Sequence, residues 1–354
     1  MVKEYGYEYD AMLNDIIWNR TKGIVTYEKL WGALCLRSGR DTLKTIAREY
    51  QPTKVFIPAL ACDSMILPFE MYGHQIVFYR LNKDYSIDLN YMETILDDGL
   101  FLYMNYFGKN AISDDELEKL RRERNLIFIE DRTHNLIWKR ESGFEPEYII
   151  ASLRKWINVP DGGLLWCAEE LKNQKFSEDT SFSEIRLKAQ CMRNEFFKTG
   201  DESIKAEYRK IFSTVSIIMD GDKHPSRMSA YAYEIADNTA WDEIREMRKQ
   251  NATELISVLK NAGIQFIQKE TGYSDLYVPF LIDDRDTRQG TLSTKGVFNT
   301  IIWPLSSEQK AVCEVARYTE EHMLAAPCDQ RYAIDDMRLI GNEICKAVRG
   351  LKNE

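Results

Sequence analysis

Short apolar runs alternate with polar or helical segments from about residue 53 to residue 168, and this alternation constrains the fold more than any other feature. The runs are rich in Ile, Phe, Val and Tyr with little polar–apolar alternation, which is typical of strands covered on both faces. The predicted strands are Lys54–Pro58, Gln75–Leu81, Leu100–Tyr106, Leu126–Asp131, Tyr148–Ser152 and Leu164–Cys167. Strands and helices at this spacing predict a mainly parallel α/β sheet.

Two helix starts are readable in this region. The sequence SDDE at 113–116 has the capping-box pattern and predicts a helix that ends near Arg124. Ahead of the first strand, apolar residues recur at helical spacing from Leu43, which places Ser38 and Gly39 at a helix N-terminus. Free N–H groups and the helix dipole favour a phosphate at such a position, although an ordinary N-cap is by itself the better explanation of the pattern.

After about residue 175 the pattern changes to long helices with a few strand-like runs. The predicted helices are Ser183–Lys198, Asp201–Phe212, Trp241–Ala262, Ser307–His322 and Ile334–Val348. The predicted strand-like runs are Gly263–Gln268, Leu276–Ile282 and Val297–Trp303. In the third helix, the side predicted to be buried carries Ile244, Met247, Asn251, Leu255 and Val258.

The chain of 354 residues is long enough for a large domain and a smaller one. We predict a large α/β domain with an N-terminal segment over residues 1–220 and a smaller α+β domain over residues 221–354. The boundary is expected near 219–225, where Gly221 and Pro225 interrupt helices.

The net charge and the cysteines indicate which partners and which cellular compartment to expect. The net charge of -9 disfavours nucleic acid and anionic membrane surfaces as partners. There is no run of eighteen apolar residues and no apolar signal segment. Seven cysteines without a CxxC pattern indicate reduced thiols rather than a disulfide framework, and none of the four histidines lies in a metal-ligand motif. We therefore expect a cytoplasmic protein without a metal site.

The segment ASLRKWINVPDGG at 151–163 is the most informative one for chemistry. A strand ends at Ser152, a loop carries Lys155, and a Gly-Gly pair opens the next strand. A lysine that bonds covalently to a carbonyl compound suits such a loop at the carboxyl end of a strand. The alternative is a solvated surface lysine, which is the commoner situation.

The segment LIFIEDRTH at 126–134 places acids at the end of a buried strand. Asp131 could bind a protonated pyridine nitrogen and keep the ring cationic, so that the ring accepts electrons. The alternative is that Asp131 caps the following turn and that His134 is a hydrogen-bonded core histidine.

The order of these segments, with the lysine 24 positions after the acid (155 minus 131), resembles pyridoxal-phosphate (PLP) enzymes of fold type I. More closely, the chain is similar to the DegT-type sugar-aminotransferase family. The matching segments are SGRDTL at 38–43, IPALACDS at 57–64, NYFG at 105–108, IEDRTH at 129–134 and SLRKWINVPDGG at 152–163, with weaker ones at 224–230 and 326–332.

The resemblance implies an aminotransferase that moves an amino group from a glutamate-like donor to a keto-sugar nucleotide, with PLP as cofactor and a homodimer as the working unit. Lys155 would bind the cofactor and then move protons as base and acid. Asp131 would pair with the pyridine nitrogen, and His134 would lie near the phenolic oxygen of the cofactor.

The resemblance also implies how the rest of the cofactor is held. Ser152 and the turn Ser38-Gly39-Arg40 would bind the phosphate. Cys62 stands where the family usually has an aromatic residue that stacks on the ring.

Several positions depart from the family pattern. Besides Cys62, Trp156 stands where Asn usually follows the lysine, Asp161 precedes the two glycines, and no Asn that could reach a partner subunit's phosphate occurs near 225–227. Two alternatives therefore stay open: a PLP enzyme with another reaction on an amino acid, and a PLP-fold binding protein without catalysis. For a substrate carboxylate, the candidate arginines are Arg227, Arg285 and Arg331, without a choice among them.

Overall fold

The computed structural model describes residues 3–11, 29–140, 142–173, 175–267 and 274–349. Its strands, numbered along the described chain, are β1 (Tyr5–Gly6), β2 (Lys29–Leu30), β3 (Ala33–Leu36), β4 (Lys54–Pro58), β5 (Gln75–Tyr79), β6 (Gly99–Met104), β7 (Leu126–Asp131), β8 (Tyr148–Ser152), β9 (Gly163–Cys167), β10 (Tyr277–Leu281), β11 (Val297–Phe298) and β12 (Met323–Pro327). An eight-stranded sheet has the order β2-β3-β9-β8-β7-β6-β4-β5. Its strands from β8 to β5 are mutually parallel, so the predicted mainly parallel α/β sheet is confirmed.

All six strands predicted in this region are present. The bounds of β4, β7 and β8 are as predicted, β6 and β9 each begin one residue earlier, and β5 and β6 each end two residues earlier. The middle strands are buried along nearly their whole length; Phe56, Phe101 and Phe128 have no exposed surface. Burying each such side chain stabilises the fold by about 1.5–3 kcal/mol, which explains why these runs carry so few polar residues.

Twelve helices are present in the described residues. They are α1 (Gly39–Ala47), α2 (Asp63–Glu70), α3 (Leu89–Ile95), α4 (Asp114–Glu123), α5 (Ser181–Thr199), α6 (Glu202–Gly221), α7 (Ala230–Asp237), α8 (Trp241–Asn261), α9 (Arg285–Thr294), α10 (Ser307–Val312), α11 (Glu314–His322) and α12 (Ile334–Arg349). The capping box at Ser113 and Glu116 is confirmed, with both reciprocal hydrogen bonds formed. Ser38 is the N-cap of α1, as predicted.

The C-terminal part has a core of its own. Strands β10 and β12 pair antiparallel, and a buried cluster that includes Leu255, Leu259, Ile340 and Ile344 packs α8 and α12 against them. Strand β1 at the N-terminal end pairs in parallel with β11, so the first described residues belong spatially to this part. The division at residue 220 stays a prediction; α6 continues to Gly221, nine residues beyond the predicted end at Phe212.

Three predictions in the C-terminal part differ from the structure. The run Val297–Trp303 forms only the short strand β11 and a bridge at Thr300. The helix predicted over Ser307–His322 is two helices, because the backbone is extended at Cys313. In Gly263–Gln268, a bridge forms at Phe266, and Gln268 lies outside the described residues.

The buried face of α8 also differs from the prediction. Met247 is 43% exposed, whereas its neighbour Arg248 has no exposed surface. Asn251 and Leu255 are buried as expected. Hydrophobic periodicity does not predict the burial of Arg248, because arginine is rarely buried unless all of its donors find acceptors.

Candidate active site

A cavity of about 490 Å³ lies at the carboxyl ends of β4, β6, β7 and β8, where open parallel sheets bind their ligands. Its volume is in the range of small-molecule and cofactor sites. Seven of the eight residues predicted for the site line it: Gly39, Arg40, Cys62, Asp131, His134, Ser152 and Lys155. The structure thus brings together residues from four separate segments of the sequence.

Ser38 is the predicted site residue that does not line this cavity. Its hydroxyl donates to Asp41 Oδ2 at 2.6 Å and accepts from the Asp41 N–H at 3.1 Å. Arg37 holds the same carboxylate through two hydrogen bonds of 2.9 Å. The side chain of Ser38 therefore begins α1, and Gly39 and Arg40 present the helix terminus to the cavity.

The Gly-Gly pair explains how that helix terminus is placed. A Cβ atom on Gly163 would lie 2.2 Å from the carbonyl oxygen of Ser38, so β9 and the start of α1 can approach only with glycine there. Gly162 has a positive φ of 127°, which is a backbone conformation that favours glycine. Here the glycines serve the close packing of the helix terminus against the lysine loop.

Asp131 is almost completely buried at the end of β7. Its Oδ1 accepts from the Thr133 N–H at 2.7 Å, which is the turn-capping bond considered as the alternative for this residue. Burial nevertheless raises the pKa of Asp131 to about 6, since that hydrogen bond does not offset the loss of water. A cation next to this carboxylate would be strongly favoured.

His134 lies three residues after Asp131 and is buried beside aromatic rings. Its ring centroid is 5.3 Å from that of Phe107 and 5.9 Å from that of Trp303. Burial, with the charge of Lys155 as a second cause, lowers its pKa to about 3, so the ring is neutral at pH 7. Because Nδ1 accepts from the Phe107 N–H at 3.4 Å, Nε2 carries the proton and is a donor.

Lys155 is exposed to the cavity, while the residue after it is fixed. Trp156 is completely buried, and its indole N–H donates to the carbonyl of Thr133 at 2.8 Å, which ties the lysine loop to the Asp131 turn. The carbonyl of Trp156 accepts from Tyr9, Arg248 and Gln330, at 3.2, 3.2 and 2.7 Å. This loop is thus anchored immediately beside the lysine.

Arg248 from α8 is the centre of that anchorage. All five of its N–H donors are used: Nε to Gln330 Oε1 (2.9 Å), Nη1 to the carbonyls of Asp275 and Leu276 (3.2 Å each), and Nη2 to the Tyr9 hydroxyl (2.6 Å) and the Trp156 carbonyl (3.2 Å). Every acceptor is neutral. The guanidinium also lies 4.9 Å from the centre of the Trp156 ring.

Sequence reasoning missed three further groups in the cavity wall. The first is the N-terminal segment at 6–9, whose acidic and aromatic composition gave no positional signal. The second is one face of α6, formed by Phe212, Ser216 and Asp220 at successive turns, for which the spacing of four was a usable signal. The third is Trp303, next to Pro304 at the end of a predicted strand-like run.

Cys62 lines the cavity, and the stacking position that the resemblance implies for it stays a prediction. It is the N-cap of α2, and its sulfur lies 2.8 Å from the hydroxyl of Ser64. Burial raises the pKa of its thiol, so the neutral form prevails at pH 7.

Of the arginines considered for a substrate carboxylate, only Arg331 lines the cavity. Arg331 is held by Asp329 through two hydrogen bonds of 2.8 Å. Arg227 lies 4.3 Å over the ring of Phe176, and Arg285 pairs with Asp286 at 2.6 Å.

No family model matches this chain, and no curated protein matches it by sequence. Solved structures match it at low identity. The DegT/DnrJ/EryC1/StrS aminotransferase from Brucella abortus is 16% identical with a TM-score of 0.60 over 90% of this chain and 85% of that one. DesI, solved with its TDP-sugar product, is 17% identical with a TM-score of 0.66 over 90% and 81%. The PLP form of Spr1654 from Streptococcus pneumoniae, named as a candidate sugar aminotransferase, is 14% identical with a TM-score of 0.69 over 99% and 100%.

These likenesses establish the class of fold: the chain has the α/β fold of the PLP-dependent fold type I aminotransferases. Within that class, the similar structures are sugar aminotransferases of the DegT/DnrJ/EryC1/StrS type. The fold expected from the resemblance is thereby confirmed. In the part of the chain that the structure describes, no helix is long and apolar enough to cross a membrane, and no cluster of His, Cys, Asp and Glu could hold a metal ion.

Proposed function

We propose that this protein is a PLP-dependent aminotransferase. The observation that carries the proposal is that Lys155, Asp131, His134 and the N-terminus of α1 meet in one cavity at the carboxyl edge of the sheet. These groups come from distant parts of the sequence, and each has a chemistry that the cofactor requires. The similarity of the fold to that of sugar aminotransferases supports the same reading.

The residues present fit the cofactor on three grounds. The buried carboxylate of Asp131 is suited to a protonated pyridine nitrogen, because a neighbouring cation would remove the penalty that raises its pKa. The Nε2–H of neutral His134 is a donor for a phenolic oxygen. The N–H groups at Gly39 and Arg40, together with the Ser152 hydroxyl, suit a phosphate.

When bound, the cofactor supplies an electron sink for charge that develops on the substrate carbon. The chain's own groups do the rest. Lys155 Nζ would hold the cofactor, and the free amine would take and return the substrate proton. Asp131 would pair as a carboxylate with the pyridine nitrogen, and the hydrogen bond from Trp156 to the Thr133 carbonyl fixes the lysine loop against the Asp131 turn. Half-buried Trp303 and buried Phe107 lie against His134 and limit the access of water to this end of the cavity.

For the reaction, we infer transfer of the amino group of glutamate or a similar donor to a keto-sugar nucleotide. The binding of a TDP-sugar by DesI, a protein of the same fold, supports this acceptor class. We also infer a homodimer in the cytoplasm as the working form. A molar mass twice that of the 41.4 kDa chain in light scattering would support the dimer, and a monomeric mass under assay conditions would contradict it.

The test is the near-visible absorption spectrum of the purified protein with added PLP and then with glutamate. We expect a band from lysine-linked cofactor in the wild type and in Lys139→Ala, an exposed lysine outside the cavity. Lys155→Ala should lack that band and all turnover. Glutamate should bleach the band and release an equivalent amount of 2-oxoglutarate.

Other outcomes would select the alternatives. A fully active Lys155→Ala protein, or no band at a large excess of PLP, would overturn the proposed catalysis and favour a PLP-fold binding protein. A ketone product from amino acids without any keto acceptor would favour a different PLP reaction.

A further inference from the structure

Among the described residues, five arginines line the cavity, and four of them have identified partners. Arg40 pairs with Asp220 at 2.6 Å, Arg186 with Glu8 at 2.7 Å, and Arg331 with Asp329 at 2.8 Å. Arg248 uses all of its donors on neutral oxygens and is completely buried. Arg154 is the fifth.

Arg154 differs from the other four in having no recorded acceptor. None of its nitrogens has a hydrogen bond or an ion pair to any residue in the described ranges, and its Nε is buried without a partner. The side chain is half-buried, so water replaces these contacts only in part. A guanidinium without an acceptor in such a place is costly unless a ligand supplies one.

The charges around Arg154 increase that cost. Burial, then the charge of Arg186, lower its pKa to about 9, with Glu8 opposing and Arg40 adding to the decrease. The value still leaves Arg154 charged at pH 7. Although burial raises it, the pKa of Glu8 falls to about 2 because Arg186, Arg154 and Lys155 all act on this one carboxylate. Glu8 is thus influenced by three cations, and besides Glu8 the carboxylate of Asp161 acts on Arg154 as a second, weaker anion.

The position of Arg154 determines what it can reach. It lies between Ser152 and Lys155 on the short helical turn Leu153–Lys155, and it faces the same cavity as Gly39 and Arg40. The cavity thus combines the N–H groups of a helix terminus, a serine hydroxyl and an unpaired guanidinium. This combination is suited to an oxyanion, since guanidinium binds phosphate and carboxylate through paired hydrogen bonds.

We propose that Arg154 forms an oxyanion-binding subsite beside Lys155, which takes a phosphate or a carboxylate group of a molecule bound in the cavity. The two possible sources are the phosphate of the cofactor and the carboxylate of the amino donor. The subsite rests on the proposed function for the identity of these molecules, but not for its affinity for an oxyanion.

The first experiment uses inorganic phosphate as the probe and needs no cofactor. The thermal midpoint of the full-length protein is measured against phosphate concentration at constant ionic strength, for the wild type, Arg154→Met and Arg154→Lys. The matched control is Arg338→Met, which removes an exposed arginine of α12 that pairs with Glu254 and Asp335. We expect the phosphate affinity to fall about 10- to 100-fold in Arg154→Met, with partial recovery in Arg154→Lys and no change in the control.

The second experiment distinguishes the two sources. Cofactor binding is titrated by absorbance with PLP and with pyridoxal, which lacks the phosphate, and glutamate is then titrated against the cofactor band. A weaker affinity of Arg154→Met for PLP but not for pyridoxal assigns the subsite to the cofactor phosphate. An unchanged PLP affinity with a raised half-saturation for glutamate assigns it to the donor carboxylate.

The proposal and the proposed function fail in different ways. If phosphate binds the wild type and Arg154→Met equally, within a factor of about two, the subsite is overturned whatever PLP does. If the protein does not bind PLP at all but loses phosphate affinity on Arg154→Met, the proposed aminotransferase fails while the oxyanion subsite stands.

Discussion

Arg154 is part of the lysine loop and Arg248 binds that loop from α8, and the surroundings of the two arginines are opposite. Arg248 has no exposed surface and donates five hydrogen bonds, one of them to the carbonyl of Trp156. Arg154, two residues before that tryptophan, has no acceptor in the described part of the chain and faces the cavity. The contrast separates two uses of an arginine at this loop: Arg248 holds the loop in place, and Arg154 is left for a ligand.

The physical reason for the difference is the supply of neutral oxygens. Arg248 meets backbone carbonyls of Asp275 and Leu276 where the chain enters β10, and it meets Gln330 and Tyr9 from two other segments. Arg154 has Arg186 and Arg40 near it as well as the carboxylates of Glu8 and Asp161, and it has no hydrogen-bond acceptor among the described residues. The comparison predicts that the two arginines differ in what their loss does to stability and to binding.

The largest effect is expected for Arg248→Met. This substitution removes five hydrogen bonds from a dry environment, and we expect the free energy of unfolding to fall by about 3–5 kcal/mol. Urea unfolding followed by circular dichroism measures it. The free energy of unfolding of Arg248→Lys should lie between those of the wild type and Arg248→Met, since an ammonium has three donors. If Arg248→Met has wild-type stability, Arg248 does not anchor the loop.

The second effect has the opposite sign and concerns Asp131. Its folded pKa of about 6 lies above its unfolded value of 3.8, so the folded state binds more protons between these values and stability falls as the pH rises through them. Asp131→Asn should therefore stabilise the cofactor-free protein by on the order of 2–3 kcal/mol at pH 7, while preventing the proposed catalysis. The measurement is the thermal midpoint of both proteins from pH 4 to pH 8; a gap that does not widen up to pH 6 would contradict the assignment.

A smaller effect is expected for Gln330→Leu. Gln330 accepts from Arg248 Nε and donates to the Trp156 carbonyl, so its loss removes two bonds of the anchorage and leaves the guanidinium itself in place. We expect a loss of about 1–2 kcal/mol in the free energy of unfolding. Gln250→Leu, on the exposed side of α8, is the control and should change stability by less than about 0.5 kcal/mol. Equal effects of the two substitutions would show that the hydrogen bonds of Gln330 contribute no more to stability than a surface contact does.

The smallest effect on stability is expected for Arg154→Met. Because this side chain has no acceptor to lose and its charge is repelled by Arg186, the free energy of unfolding without ligand should change by less than about 0.5 kcal/mol or increase. Chemical unfolding in a buffer free of phosphate and sulfate measures it. A large destabilisation in that buffer would mean that Arg154 is a structural residue like Arg248, and the comparison would fail.

Much of the parallel sheet and several of the site residues were predictable from the sequence. The bounds of β4, β7 and β8 follow from uninterrupted apolar runs, since a strand buried on both faces has no room for polar residues. Asp131 and Lys155 follow from their positions just after such strands. The separation of α10 from α11 at Cys313 was not predictable, because the helical periodicity of the two helices is nearly continuous.

The roles of polar residues far from these strands could not be predicted in the same way. Arg248 and Met247 are neighbours on α8, and hydrophobicity alone assigns their burial in the wrong order. Ser38 was placed correctly at a helix N-terminus, but only the packing shows that its hydroxyl is used by Asp41. In both cases the outcome depends on whether a partner exists at hydrogen-bonding distance.

The sequence by itself determined the parallel sheet, the helix start at Ser38 and the positions of Asp131 and Lys155, because periodicity, capping and strand ends are local properties of the chain. The tertiary structure alone decided that Arg248 is fully bonded and that Arg154 is not. Those outcomes depend on which acceptor groups the fold places near each guanidinium. The hydroxyl of Tyr9 near Arg248 and the carboxylate of Glu8 near Arg154 come from residues more than a hundred positions away, and no local sequence pattern predicts such contacts.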